Sequence, residues 1–213
     1  ALPICFFMKK ILLLLLIPIS LFWVYNIPTV NMFVEMITLN AIETTELTVD
    51  KNTLTMSWII NTQTPNQFKN TFKAHPNIDT LIMKNVPWSM DDEANLEISS
   101  WIAEKKLTII LEKDSEIASG GTDFFLAGNK RIIHDWAKIG VHSRSTIDTQ
   151  ASDLPKDDET HTPYIEYYEK LGFTKKQSED FYFYTIQAAP ADDIHWMTNN
   201  EIKKYNVATQ IIQ

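Results

Sequence analysis

Ile117 to Gly128, IASGGTDFFLAG, is the stretch on which the fold turns. A serine, Ser119, is followed directly by two of the chain's five glycines, and the pattern predicts that it opens a short helix over about Ser119–Ala127. Small residues at such a place let a substrate carbonyl approach both the hydroxyl and the backbone N–H groups behind it. A bulky side chain at position 120 would block that approach. The free amides of a helix N-terminus also stabilise a developing oxyanion. A serine that simply caps the helix, with glycines that permit close packing, fits the same residues. The nucleophile-elbow pattern G-x-S-x-G is not met, because Ile117 stands where its first glycine belongs, so an α/β-hydrolase is not supported.

Outward from this stretch the chain alternates strands and helices. Leu54–Ile60 (LTMSWII) and Asp79–Met83 (DTLIM) read as apolar strands, with a helix over Pro65–His75 between them that carries Phe68 and Phe72 at helical spacing. A second helix is predicted from about Met90 to Lys105, with Ala94, Ile98, Trp101 and Ile102 on one stripe. Acidic residues fill its first turn and lysines its end, and Ser89 with Asp92 resembles a capping box. Leu107–Leu111 (LTIIL) reads as the next strand, and short strands are expected at Arg131–Ile133 and Lys138–His142. This order argues an α/β class with parallel pairing. Arg144–Thr162 is polar and acidic and reads as a long exposed loop or lid. Helices over Pro163–Leu171 and Lys175–Gln187 follow, separated by Gly172 as a helix stop, with a last short helix over about Asn199–Tyr205.

At the other end, MKKILLLLLIPISLFWVYNIP begins at Met8 with a positive Lys9-Lys10 pair and an uncharged run from Ile11 to Tyr25, the beginning of a secretory signal. The run is shorter than the roughly 18 to 20 residues of a spanning helix. No small-x-small cleavage site follows it, and Trp23 and Tyr25 suit an interfacial belt. Cleaved signal and retained anchor therefore both stand. Residues 1–7 read as an upstream extension, 8–27 as signal or membrane anchor, and 28–213 as a single domain of periplasmic or other extracytoplasmic location, anchored to the inner membrane if the segment stays.

The net charge of −8, with no basic run beyond Lys9-Lys10, lacks the electrostatic footprint of a nucleic-acid binder. Cys5 is the only cysteine and falls in the extension, which excludes a cysteine nucleophile, a disulfide framework and thiolate metal sites from the domain. His75, His161 and His195 are too scattered for a metal motif, and no P-loop or EF-hand is present, so neither metal nor nucleotide cofactor is expected.

The run IASGGTDFFLAGNKRIIHDWAKIGVHS resembles the Clp-protease/crotonase superfamily in its exported, periplasmic branch. Its A-S-G-G signature is similar to that of signal peptide peptidases. The resemblance extends from about Leu81 to Val207, through NVPWSMDDEANL and a terminal MTNNEIKKYNV. It implies a spiral of repeated β-β-α units, homo-oligomers, and a serine hydrolase of peptide or ester substrates, with acyl-thioester chemistry of crotonase type as a further reading. By the same resemblance Ser119 matches the nucleophile and His142, 23 residues on, the general base, with His134 the weaker competitor. Asp192 or Asp193, in AAPADDIHWMT, lies near the place of the orienting acid, although strict alignment puts Pro190 there. The oxyanion donors would be the amides of Gly120 and Trp88, where Trp88 stands in place of the family's usual glycine. The chemistry agrees, since a serine is a weak nucleophile until an imidazole within reach takes its proton. An inactive binding or assembly module on the same fold is the rival, and Trp88 and the uncertain acid favour it.

Overall fold

Leu54, Met56, Leu81, Met83, Ile109 and Leu111 are all fully buried and alternate with half-buried neighbours, the period of strands covered on one face. The computed structural model describes residues 44–145 and 149–212. The expectations for residues 1–7 and for the apolar segment 8–27 lie outside them. Among the described residues, no helix is long and apolar enough to cross a membrane.

The strands β1 (Glu46–Asp50), β2 (Thr53–Ser57), β3 (Thr80–Val86), β4 (Thr108–Ala118), β5 (Lys130–His134), β6 (Lys138–Val141), β7 (His195–Trp196) and β8 (Gln210–Ile212) form one eight-stranded sheet. The helices are α1 (Thr64–Ala74), α2 (Asp92–Lys105), α3 (Gly120–Leu126), α4 (Thr162–Lys170), α5 (Lys175–Ala188) and α6 (Asn199–Lys204). The sheet order is β1-β2-β3-β4-β5-β8; β6 branches from β4 and pairs in turn with β7. From β2 to β5 the pairing is parallel, with a helix in each crossover, as the alternation predicts.

Register aligns the buried residues into rows: Leu54, Leu81 and Ile109, then Met56, Met83, Leu111 and Ile133. Phe68 and Phe72 of α1, Ile98 and Ile102 of α2, and Phe124 and Phe125 of α3 complete that core. Each such side chain taken from water contributes about 1.5–3 kcal/mol before the cost of ordering the chain. Rows such as Thr53-Thr80-Thr108 occupy the alternate positions and stay half-buried, so these strands are covered fully on one side only.

Several elements differ from expectation. Strand β4 does not stop at Leu111 but continues to Ala118 past a register shift against β3 between Met83 and Asn85. The polar EKDS insertion is accommodated because Ser115 Oγ donates to Met83 O (2.6 Å) and accepts from Glu112 N (2.9 Å), standing in for ladder bonds. Lys84 spans the insertion to Glu112 and Asp114. The cap of α2 is Asp91, whose side chain accepts from Ala94 N, while Ser89 Oγ donates instead to Asp92 Oδ1 (2.7 Å). Strands β7 and β8 are only two and three residues long, and β1, with Leu47 and Val49 alternating with polar residues, forms a local antiparallel hairpin with β2.

Candidate active site

The fork of the sheet builds the site. The C-terminal part of β4 pairs in parallel with β6, Ala118 opposite Gly140, so the residues that follow each strand emerge side by side at its carboxyl end. These residues are Ser119 and His142. In parallel sheets that end is where ligands meet loops and helix N-termini.

Ser119 sits at φ 54°, ψ −126°, a left-handed conformation that costs a non-glycine residue about 1–3 kcal/mol. The surroundings hold it there: its N–H donates to Gly140 O (3.1 Å), and its own carbonyl accepts from Thr122 N (2.8 Å). Thr122 Oγ1 also donates to Gly140 O (2.8 Å), so one β6 carbonyl fixes both the serine and the first turn of α3. Ser119 makes no side-chain cap bond, so the simple capping role fails, and the residue lines the cleft.

Gly120 and Gly121 are required for a different reason from the one expected. A Cβ on Gly120 would lie 2.5 Å from Ser89 Oγ and 2.9 Å from Asn95 Nδ2, and one on Gly121 would lie 2.2 Å from Val86 O. Both glycines therefore face the end of β3 and the start of α2, where Asn95 Nδ2 donates to Gly120 O (3.0 Å). Close packing of α3, rather than room for substrate, forbids a side chain.

Ser119, Gly120 and His142 line one cleft together with Asp92, Thr122, Asp123, Val141, Arg144, Tyr164, Tyr168, Tyr182, Thr185 and Ile186. Burial holds the His142 imidazole below its ordinary pKa, and the Ser143 backbone and the charge of Asp92 offset this only in part. Its Nδ1 is buried and has no hydrogen-bond partner with acceptable geometry among the described residues.

Asp192 and Asp193 are not brought to the cleft. Both are exposed, on the turn that joins α5 to β7; Asp193 N–H donates to Pro190 O, and Asp193 Oδ1 accepts from Ile194 N. Local turn bonds have taken the place of an orienting role. Trp88 does not line the cleft: it is 52% exposed and its carbonyl accepts from Ile60 N (3.3 Å), while its successor Ser89 packs against Gly120. His134, at the end of β5, does not line the cleft.

Sequence reading missed the cleft's other charged and phenolic groups. Asp123 lies four residues after Ser119, one turn along α3, and Tyr168 Oη donates to its Oδ1 (2.6 Å) while Tyr167 Oη donates to its carbonyl (2.8 Å). Burial raises the Asp123 carboxyl to about 7; the Tyr168 hydrogen bond opposes this, the Asp92 charge adds to it and the Arg144 charge opposes it. Tyr164 Oη donates to Asp92 Oδ2. Arg144, placed in an exposed loop by its polar neighbours, instead points inward. Its Nη2 donates to Tyr182 Oη (2.9 Å) and Thr160 O (2.6 Å), and its guanidinium lies 4.6 Å from the Tyr164 ring centre. The available signal was the spacing of Tyr164, Tyr167 and Tyr168, which gives α4 one aromatic face.

Among the described residues no group of histidine, cysteine and carboxylate side chains is placed to hold a metal ion. No protein-family model matches the chain, and no curated protein sequence matches it. Solved structures do resemble it. The ClpP protease catalytic domain of Plasmodium falciparum superposes with a TM-score of 0.52 at 18% identity, covering 76% of this chain and 85% of that one. A point mutant of ClpP1 from Listeria monocytogenes gives 0.51 at 17% identity, covering 77% and 92%. A membrane-bound stomatin-specific protease, 1510-N, in complex with a substrate peptide, gives 0.48 at 20% identity, covering 72% of each chain. At these identities the likeness is one of fold, and the fold is that of the ClpP-type proteases.

Proposed function

We propose that this chain is a serine hydrolase of peptide or ester bonds, with Ser119 as nucleophile and His142 as general base. The observation that carries this is the β4–β6 register, which sets a serine of left-handed backbone and a neutral-leaning imidazole in one cleft at the strand ends. The ClpP-type fold supports it. In the reaction His142 Nε2 takes the Ser119 hydroxyl proton as Oγ attacks the carbonyl, and the Gly120 amide donates to the oxyanion. The leaving group departs with that proton, and water then cleaves the acyl-enzyme by the same route. The Lys9–Tyr25 segment supports work at or beyond a membrane.

The position of Asp192 and Asp193 on an exposed turn, where neither lines the cleft with His142, favours one second reading, a catalytically silent module. A fluorophosphonate probe on the folded chain separates the two. Labelling abolished in Ser119→Ala and slowed about 10²-fold or more in His142→Ala is expected of the hydrolase. Absence of Ser119-dependent labelling in the folded protein establishes the module.

A further inference from the structure

Arg144 lines the cleft beside Ser119, held by aromatic rings and neutral acceptors. Tyr164 and Tyr182 present ring faces to the guanidinium, at 4.6 and 5.9 Å from their centres. The guanidinium also donates to two neutral acceptors, Tyr182 Oη and Thr160 O. Asp92 and Asp123 line the same cleft, yet both are satisfied by hydroxyls: Asp92 by Ser89 and Tyr164, Asp123 by Tyr168. Among the described residues neither carboxylate has a salt-bridge partner, and neither does Arg144. Two carboxyls therefore share the cleft with one arginine that lies over aromatic rings and has no salt bridge among the described residues, so a cationic group that displaces it breaks no salt bridge.

We propose that this cleft is a subsite for a basic side chain, lysine or arginine, of the substrate, with Asp92, Asp123, Tyr164 and Tyr182 as its walls and Arg144 as a resident stand-in that the substrate displaces. The inference rests on the hydrolase reading for its placement next to Ser119. Three features meet the physical needs of such a subsite. Aromatic faces attract a guanidinium most strongly where water is excluded. Phenol hydroxyls hydrogen-bonded to Asp92 and Asp123 hold both carboxyls in place on the cleft wall. The raised Asp123 carboxyl gains a charge partner when a cation enters, so binding draws its proton off.

Agmatine, a free alkylguanidinium, tests the subsite without any turnover. In calorimetric titration of the full chain at pH 8, agmatine is expected to bind, about tenfold more tightly in Arg144→Met, which keeps the apolar stem and removes the competing charge, and about tenfold more weakly in Asp123→Asn. Ser119-dependent hydrolysis of arginine and norleucine esters then places the subsite: kcat/KM for the arginine ester should exceed the other by about tenfold or more. Agmatine that binds neither the wild type nor Arg144→Met overturns the proposal, as does Ser119-dependent hydrolysis with equal kcat/KM for both esters. If Arg144→Met does not fold, wild type against Asp123→Asn decides. Agmatine binding with no Ser119 labelling overturns the hydrolase reading and leaves the cation site standing, so the two failures are distinct.

Discussion

Ser119, the nucleophile proposed above, carries the backbone strain of the site. Replacing it with glycine removes the left-handed penalty that alanine retains, so Ser119→Gly should be more stable than Ser119→Ala by about 1 kcal/mol in urea unfolding, although both lose probe labelling. His142 is held below its ordinary value of 6.5, so the labelling rate should fall to half only at a pH below 6.5, where an unburied imidazole would already be half protonated. Asp123 makes a prediction of opposite sense. Its folded carboxyl titrates at about 7 and its unfolded one near 3.8, so between these values the folded state binds more protons. Stability from this group is therefore greatest below about 4 and falls as pH rises toward 7. Comparison of urea midpoints for wild type and Asp123→Asn across pH 4.5 to 7.5 checks this: the difference between them should change in that direction and level off above 7. Ser119 and His142 stand out in the sequence through the family resemblance of the residues around them. The sequence hides Asp123 and Arg144, since an acid on a helix and an arginine in a polar loop look solvated until a fold encloses them.

At the scale of elements, α3 and the β4–β6 pair make the site, and their closeness rests on glycine. Gly121→Ala would place a methyl against the Val86 carbonyl, backbone that cannot swing aside, so a loss of about 2 kcal/mol or more is expected in chemical unfolding, with weaker probe labelling. Elsewhere, local rules hold. Thr174 at the start of α5 and Thr198 at the start of α6 form full capping boxes with Gln177 and Glu201, and Thr174→Ala should cost about 1 kcal/mol. Helices α1, α2, α4 and α5 were legible to within a residue or two because amphipathic period, first-turn proline or acid, and Gly172 at φ +96° are all local signals. The far half of β4 was not, because its strand character depends on Ser115 reaching the backbone of β3, 32 residues away in sequence.

Across the whole molecule, the C-terminal segment closes the sheet by long-range contacts centred on Arg131. Its Nε donates to Val207 O (2.7 Å) and its Nη2 to Asn206 O (2.9 Å), while its backbone N–H donates to Thr209 Oγ1 (2.8 Å). Arg131→Met removes the side-chain bonds to Val207 O, Asn206 O and Gly128 O, so hydrogen exchange of β8 should rise selectively while β2 to β4 stay protected. The amino-acid sequence by itself determined the alternation of strands and helices and the apolar rows of the core, because periodicity and turn residues act over a few positions. Only the tertiary structure decided that β4 forks between β5 and β6 and that Asp192, Asp193 and Trp88 stay outside the cleft. It alone also turned Asp123, Arg144 and a set of tyrosines toward Ser119. Those outcomes depend on strand register and on burial of charge among groups far apart in the chain, which no local pattern encodes.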